Sequence, residues 1–175
     1  PDGISSENSL HGLVQVALSN EKIYHLDGEV GIGHVRYPTA GSKSLLNAQP
    51  LTVTTSFGSV AIAHNGNITN YVELREKYLA TGTSFLTDSD SELVTKILSK
   101  YMAVQNDPIR ALKSMMGELE GSYALVVQIN DRLFGLRDPY GIRPLCIGEI
   151  EGGHIIVSES AAIDALNGTF IRNIA

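Results

Sequence analysis

At 175 residues, 43% of them apolar, the chain is long enough for one domain with a substantial core and short of the length at which two cores are expected. Its formal net charge of −6 comes from scattered acidic residues, with no basic face for phosphate backbones, so nucleic acid is excluded as an expected partner. No apolar run approaches the roughly 18 residues of a bilayer span, and Pro1-Asp2-Gly3-Ile4-Ser5-Ser6 lacks a signal-peptide pattern. The expectation is a soluble, cytoplasmic protein with no membrane partner. A single cysteine, Cys146, rules out an internal disulfide, and no histidine pairs with another His or a Cys at metal-ligand spacing, so no metal site is expected.

In chain order, a short strand is expected around Gly12 to Ala17, and a β-rich run from Val30 to Tyr37 breaks at Pro38-Thr39-Ala40-Gly41-Ser42. Leu51 to Thr55 alternates like a strand, Ser56-Phe57-Gly58-Ser59 turns, and Val60 to Ala63 reads as a buried strand that ends in His64-Asn65-Gly66-Asn67. Three helices follow. Asn70 with Glu73 and Ser89 with Glu92 are capping-box patterns, the second leading an apolar stripe of Leu93, Val94, Ile97, Leu98, Tyr101 and Met102. Asp107-Pro108 places an N-cap before a proline at the first helical position.

The remainder predicts strands over Ser122 to Ile129, Leu133 to Arg137, Ile142 to Ile150 and His154 to Ser158, then a short helix over Ala161 to Leu166. Strands, helices and strands without β-α-β alternation argue for an α+β domain of antiparallel sheets. Because Val60 to Ala63 and Ala124 to Val127 are apolar on both faces, both faces need cover, which points to a four-layer helix-sheet-sheet-helix sandwich.

Reactive groups gather where strands end. Arg36, in Gly33-His34-Val35-Arg36-Tyr37-Pro38-Thr39-Ala40-Gly41, offers a fork for a carboxylate, although a solvated arginine at a strand end is the commoner occurrence. Asn65-Gly66 offers an amide and an unobstructed backbone N–H for an oxyanion, and is equally the commonest turn dipeptide. In Thr87-Asp88-Ser89-Asp90-Ser91-Glu92, capping accounts for Ser89 and Glu92 and leaves Asp90 free for a ligand ammonium. Asp138, between Arg137 and Pro139, reads as the brace of a rigid corner, and Cys146 as a buried, inert thiol.

Taken together, Gly31-Ile32-Gly33-His34-Val35-Arg36-Tyr37-Pro38-Thr39-Ala40-Gly41, Ala48-Gln49-Pro50, Ala63-His64-Asn65-Gly66-Asn67, Asp88-Ser89-Asp90-Ser91-Glu92, Arg137-Asp138-Pro139-Tyr140-Gly141-Ile142-Arg143-Pro144-Leu145 and Ser158-Glu159-Ser160 resemble, in order and spacing, the glutaminase domain of the amidophosphoribosyltransferase family. The resemblance runs from about Gly28 to Ile174. Glucosamine-6-phosphate synthase has a similar domain, but the Arg-Asp-Pro-Tyr-Gly-Ile-Arg-Pro-Leu corner looks like the purine enzyme.

The resemblance implies an N-terminal-nucleophile hydrolase fold, in which a leading cysteine attacks the glutamine amide and its own α-amino group handles the protons. It assigns the glutamine carboxylate to Arg36, the glutamine ammonium to Asp90, and the oxyanion to Asn65 with the N–H of Gly66, which also contacts the substrate. Tyr37, Pro38, Thr39, Ala40 and Gly41 match a glutamine loop that closes over the site. Ammonia would pass to a phosphoribosyltransferase domain of the same enzyme, giving phosphoribosylamine for purine synthesis. No cofactor is expected in the glutaminase domain; magnesium is expected in the phosphoribosyltransferase domain, and full-length family members often form homotetramers.

Two departures set further expectations. The family's Cys-Gly opening and its Gln-His-Arg-Gly motif have no counterpart before Gly12, and the sequence stops near Ala175, where the family continues. The expectation is therefore one glutaminase domain over residues 1–175, truncated at both ends, incomplete at the N-terminus of its sandwich, with an exposed sheet edge and poor solubility. Such a piece should bind glutamine poorly and not hydrolyse it, since losing a nucleophile removes several powers of ten in rate. A glutaminase of the glucosamine-6-phosphate synthase or glutamate synthase type, and a catalytically silent glutamine-binding or regulatory domain, are the alternative readings.

Overall fold

The computed structural model describes residues 4–7, 13–19, 23–35 and 45–175. Apolar runs, buried on both faces in the middle of β2 and β3, build a four-stranded antiparallel sheet in the order β1 (Leu51–Thr55), β2 (Gly58–Ile68), β3 (Gly121–Ile129) and β4 (Arg132–Arg137). β1 and β2 are joined by a tight turn whose Thr55 hydroxyl donates to the Gly58 carbonyl at 3.0 Å and accepts from Phe57 N–H at 3.2 Å. In the β3–β4 turn, Asn130 takes a left-handed φ of 53° and reaches across to the first hairpin, accepting from Ser59 N–H at 3.1 Å and donating to the Phe57 carbonyl at 2.7 Å.

Three helices cover one face of this sheet: α2 (Tyr71–Ala80), α3 (Asp90–Val104) and α4 (Pro108–Glu118). The core lies between them and the sheet, with Val60, Ile62, Leu125 and Val127 meeting Leu93, Val94, Ile97 and Met115, all fully buried. Ser89 caps α3 by accepting from Ser91 N–H, and Asp107 caps α4 by accepting from Ile109 N–H, as the sequence predicts. The box expected at Asn70 is absent, because that side chain instead ties the end of α4 to β3, donating to the Glu118 carbonyl at 2.9 Å and accepting from Glu120 N–H at 3.1 Å.

The second sheet has the order β6 (Gly153–Val157), β5 (Cys146–Ile150), β7 (Thr169–Asn173), all antiparallel, and carries α5 (Ala161–Ala165) on its outer face. Two glycines show how closely the layers approach. A Cβ on Gly135 of β4 would meet Ile174 at 2.5 Å and Ile156 at 3.2 Å across the sheet-sheet interface. One on Gly148 of β5 would meet Ile163 of α5 at 2.7 Å. The result is the expected α+β four-layer sandwich of antiparallel sheets.

Several boundaries differ from expectation. Val14–Ala17 form one helical turn, α1, in place of a strand, and residues 30–35 carry no strand: Gly31 and Gly33 have no side chain to pack and nothing within 4 Å of a Cβ position. β5 begins only at Cys146, because residues 138–143 are held in a corner. β7 has no forecast in the sequence; every residue of it is exposed, and it forms an edge of its sheet. No helix among the described residues is long and apolar enough to cross a membrane.

Candidate functional site

β2 outruns its neighbour. β1 pairs with it only as far as Leu51 opposite Ile62, while β3 continues alongside to Gly121 opposite Ile68. His64, Asn65, Gly66 and Asn67 are thus strand residues and not the turn that Asn-Gly suggests. Gly66 explains the continuation: its φ of +147° disfavours a side chain, and a Cβ there would run into the Ser122 carbonyl oxygen and lie 2.7 Å from Tyr123 Cα.

Beyond Ile62, groups from elsewhere in the chain take the place of β1. The His64 N–H donates to Gln49 Oε1 at 2.6 Å, and the Ile68 N–H donates to Asp90 Oδ2 at 3.4 Å. Alternation along a strand turns the intervening Gly66 N–H to this same edge. A backbone donor and a carboxylate therefore lie along the edge of β2 that β1 leaves unpaired.

Asp90 is delivered by the start of α3. The preceding loop is folded by Glu92, whose buried carboxylate accepts from Leu86 N–H at 2.9 Å, Thr87 N–H at 2.7 Å and the Thr87 hydroxyl at 2.7 Å. The Asp90 side chain is 25% exposed, so one part of it is held by the protein and another faces solvent. Burial works against its charge; the hydrogen bond and charge of His64, with the N–H groups of Ile68 and Ser91, outweigh that and hold its pKa below the usual carboxylate value.

Under the strand lies a polar cluster. His64 is 4% exposed, and its Nδ1 sits 3.1 Å from Ser91 Oγ and 3.5 Å from Asp90 Oδ1. Gln49 Nε2 donates to the same Ser91 oxygen at 3.1 Å. Sequence reasoning left His64 as a packed histidine at a strand end and gave Gln49 and Ser91 no role, because these partners are 15 and 27 residues away from it and no local pattern joins them.

The corner at residues 138–143 braces the far side of Gly66. Asp138 is 2% exposed, and its carboxylate accepts from the N–H groups of Tyr123 (3.2 Å), Tyr140 (3.0 Å), Ile142 (3.1 Å) and Arg143 (3.4 Å). Its desolvation is outweighed by these four donors, which depress its pKa. Tyr123 is the residue opposite Gly66. Arg137 completes the brace by donating to the carbonyls of Arg143, Ile174 and Gly141.

Of the residues singled out in the sequence, Asp90 and Gly66 are brought to one edge. Asn65 is exposed and, by strand alternation, points from the opposite face of β2 to His64. Arg36, Tyr37, Pro38, Thr39, Ala40 and Gly41 lie outside the described residues. Cys146 is buried with its thiol against the Val157 carbonyl at 3.5 Å, and burial raises its pKa, so it is a poor nucleophile. Among the described residues no group of His, Cys, Asp and Glu is arranged to hold a metal ion.

Residues 35–165 match the family described as the glutamine amidotransferase domain, and the chain belongs to that family. Its curated relatives include the amidophosphoribosyltransferases of Archaeoglobus fulgidus, 45% identical over 163 residues that cover 93% of this chain and 36% of that protein, and of Methanocaldococcus jannaschii, 42% identical with 93% and 35% covered. Among solved structures, the glutamine phosphoribosylpyrophosphate amidotransferase of B. subtilis, complexed with ADP and GMP, aligns with a TM-score of 0.84 at 30% identity, covering 93% of this chain and 35% of that one. A structure described as the allosteric regulatory enzyme of purine biosynthesis aligns at 0.86 and 32% identity, with the same coverage. The sandwich is the N-terminal-nucleophile hydrolase fold of these glutaminase domains. The chain spans about a third of the length of these relatives.

Proposed function

We propose that residues 1–175 form one glutaminase domain of an amidophosphoribosyltransferase, which binds L-glutamine and takes part in releasing its amide as ammonia. Asp90 would hold the substrate ammonium, Arg36 its carboxylate, and the Gly66 N–H with the Asn65 amide the oxyanion, while residues 37–41 close over the bound amino acid. The observation that carries this reading is the edge of β2 beyond β1, along which the Asp90 carboxylate and the Gly66 N–H lie. A donor already aimed at the point where charge develops needs no reorganisation during the reaction, which is why such hydrogen bonds are effective. A fixed carboxylate beside it selects an amino acid over a simple amide.

The ammonia would pass to a phosphoribosyltransferase domain of the same enzyme, forming phosphoribosylamine for purine synthesis in the cytoplasm. Magnesium would belong to that domain, the glutaminase domain would need no cofactor, and the whole enzyme would assemble as a homotetramer. In the intact gene product, Asp90→Ala should raise the glutamine concentration needed for half-maximal ammonia release far more than it alters the melting temperature. An unchanged glutamine dependence in that variant would refute the assignment of Asp90.

A second reading, a glutamine-binding domain without turnover, would use the same Asp90 and Gly66 edge of β2. Ammonia release from glutamine by the intact gene product decides between the two.

A further inference from the structure

Asp90 does not hold its position alone. The Ser91 hydroxyl has one proton and two lone pairs. It accepts from Gln49 Nε2 at 3.1 Å and lies 3.5 Å from Asp90 Oδ1, to which it donates. The cluster closes when His64 Nδ1 carries a proton, which then lies between Ser91 Oγ at 3.1 Å and Asp90 Oδ1 at 3.5 Å. At its other end His64 Nε2 is buried and has no hydrogen-bond partner among the described residues, so the ring's polar anchorage is through Nδ1. The His64 backbone is fixed in turn by the 2.6 Å bond of its N–H to Gln49 Oε1. Gln49 thus grips both His64 and Ser91, and both face the one carboxylate oxygen that Ile68 does not occupy.

We propose that His64, with Gln49 and Ser91 behind it, is the positioning residue that orients the Asp90 carboxylate for the α-ammonium of the bound amino acid. The inference rests on the reading of Asp90 as the ammonium site. It assigns His64 no contact with substrate: buried beneath β2, it acts by fixing one carboxylate oxygen, so that the other stays beside the Ile68 N–H at the edge of β2. Its contribution should therefore appear only for ligands that carry an α-ammonium, whereas a histidine that merely fills the core would affect all ligands alike.

The test compares binding of L-glutamate with binding of glutarate, the same diacid without the ammonium, by NMR titration of the intact gene product. Neither ligand is turned over as a glutaminase substrate. The unaltered protein should prefer glutamate, and Asp90→Asn should abolish the preference. His64→Phe should reduce the preference about tenfold, the scale of a lost charge-assisted hydrogen bond, with glutarate affinity little changed. His64→Asn, whose amide N–H reaches the place of Nδ1, should restore most of it, and Ser91→Ala should lower it in a protein whose fold is less disturbed. Equal losses for both ligands in His64→Phe and Ser91→Ala, or a preference that survives in both while Asp90→Asn destroys it, would overturn the positioning role. A preference that survives Asp90→Asn would instead overturn the ammonium site itself.

Discussion

Replacing Asp138 with Asn tests whether the corner at residues 138–143 holds up the strand on which the site is built. The carboxylate shares four backbone donors between two oxygens: Oδ1 accepts from Tyr140 and Ile142, and Oδ2 from Tyr123, Ile142 and Arg143. Asn keeps one oxygen and turns an NH2 group toward donors, so either the Tyr140 N–H or those of Tyr123 and Arg143 lose their acceptor, and the remaining donors keep only a neutral one, in a place that is 2% exposed to water. At about 1.5–3 kcal/mol for each bond to a charged acceptor, and with the losses not additive, the expected destabilisation is about 3 kcal/mol. For a domain of this size that is a fall in Tm of about 6–12 °C.

The pH dependence gives the prediction its sign. The folded pKa of Asp138 lies below the ordinary aspartate value of 3.8, so its stabilisation is complete above that value and is lost as pH falls through the lower, folded pKa. Urea unfolding followed by circular dichroism at pH 7 and again below pH 3 should show the gap between Asp138→Asn and the parent narrowing with acid, because the unfolded parent takes up a proton on this group before the folded one does. Taking the difference cancels the acid response of Asp90 and Glu118, whose pKa values are also depressed. A gap below about 0.5 kcal/mol at pH 7, or one that does not change with pH, would refute the reasoning.

Other consequences can be checked in the same protein. Gly66→Ala combines a φ of +147° with a collision against Ser122 and Tyr123, and should cost on the order of 2–5 kcal/mol in urea unfolding while displacing the Gly66 N–H and weakening glutamate binding. Ile97→Ala, at a fully buried position of α3, should destabilise by about 2–5 kcal/mol and leave ligand preference unaltered. Asp107→Ala removes the cap that accepts from Ile109 N–H at 2.9 Å and should cost about 1 kcal/mol, read as a small drop in Tm.

What the sequence makes legible here is mostly local chemistry. Ser89 and Asp107 announce their helices because each caps its own first turn. Asn70 carries the same signal, yet its side chain is drawn to Glu118 and Glu120, partners 48 and 50 residues away. Asn65-Gly66 misleads as a turn because its extended geometry is imposed by β3, and β7 escapes notice because exposed Thr169–Asn173 carries no buried stripe. Within the site, Asp90 is visible as a carboxylate that capping leaves unused. The service of His64 is not, since it depends on Gln49 and Ser91 arriving from opposite directions along the chain.

The early end of β1 has a topological meaning. A ladder missing its last rungs is ordinarily a hazard, because bare amides can recruit a stranger's backbone. Here Gln49 and Asp90 blunt that hazard at both ends, with the Gly66 N–H between them. Four more paired residues on β1 would carry the ladder opposite Gly66 and take up its N–H, so the length of a single hairpin arm decides whether that donor is left for a ligand.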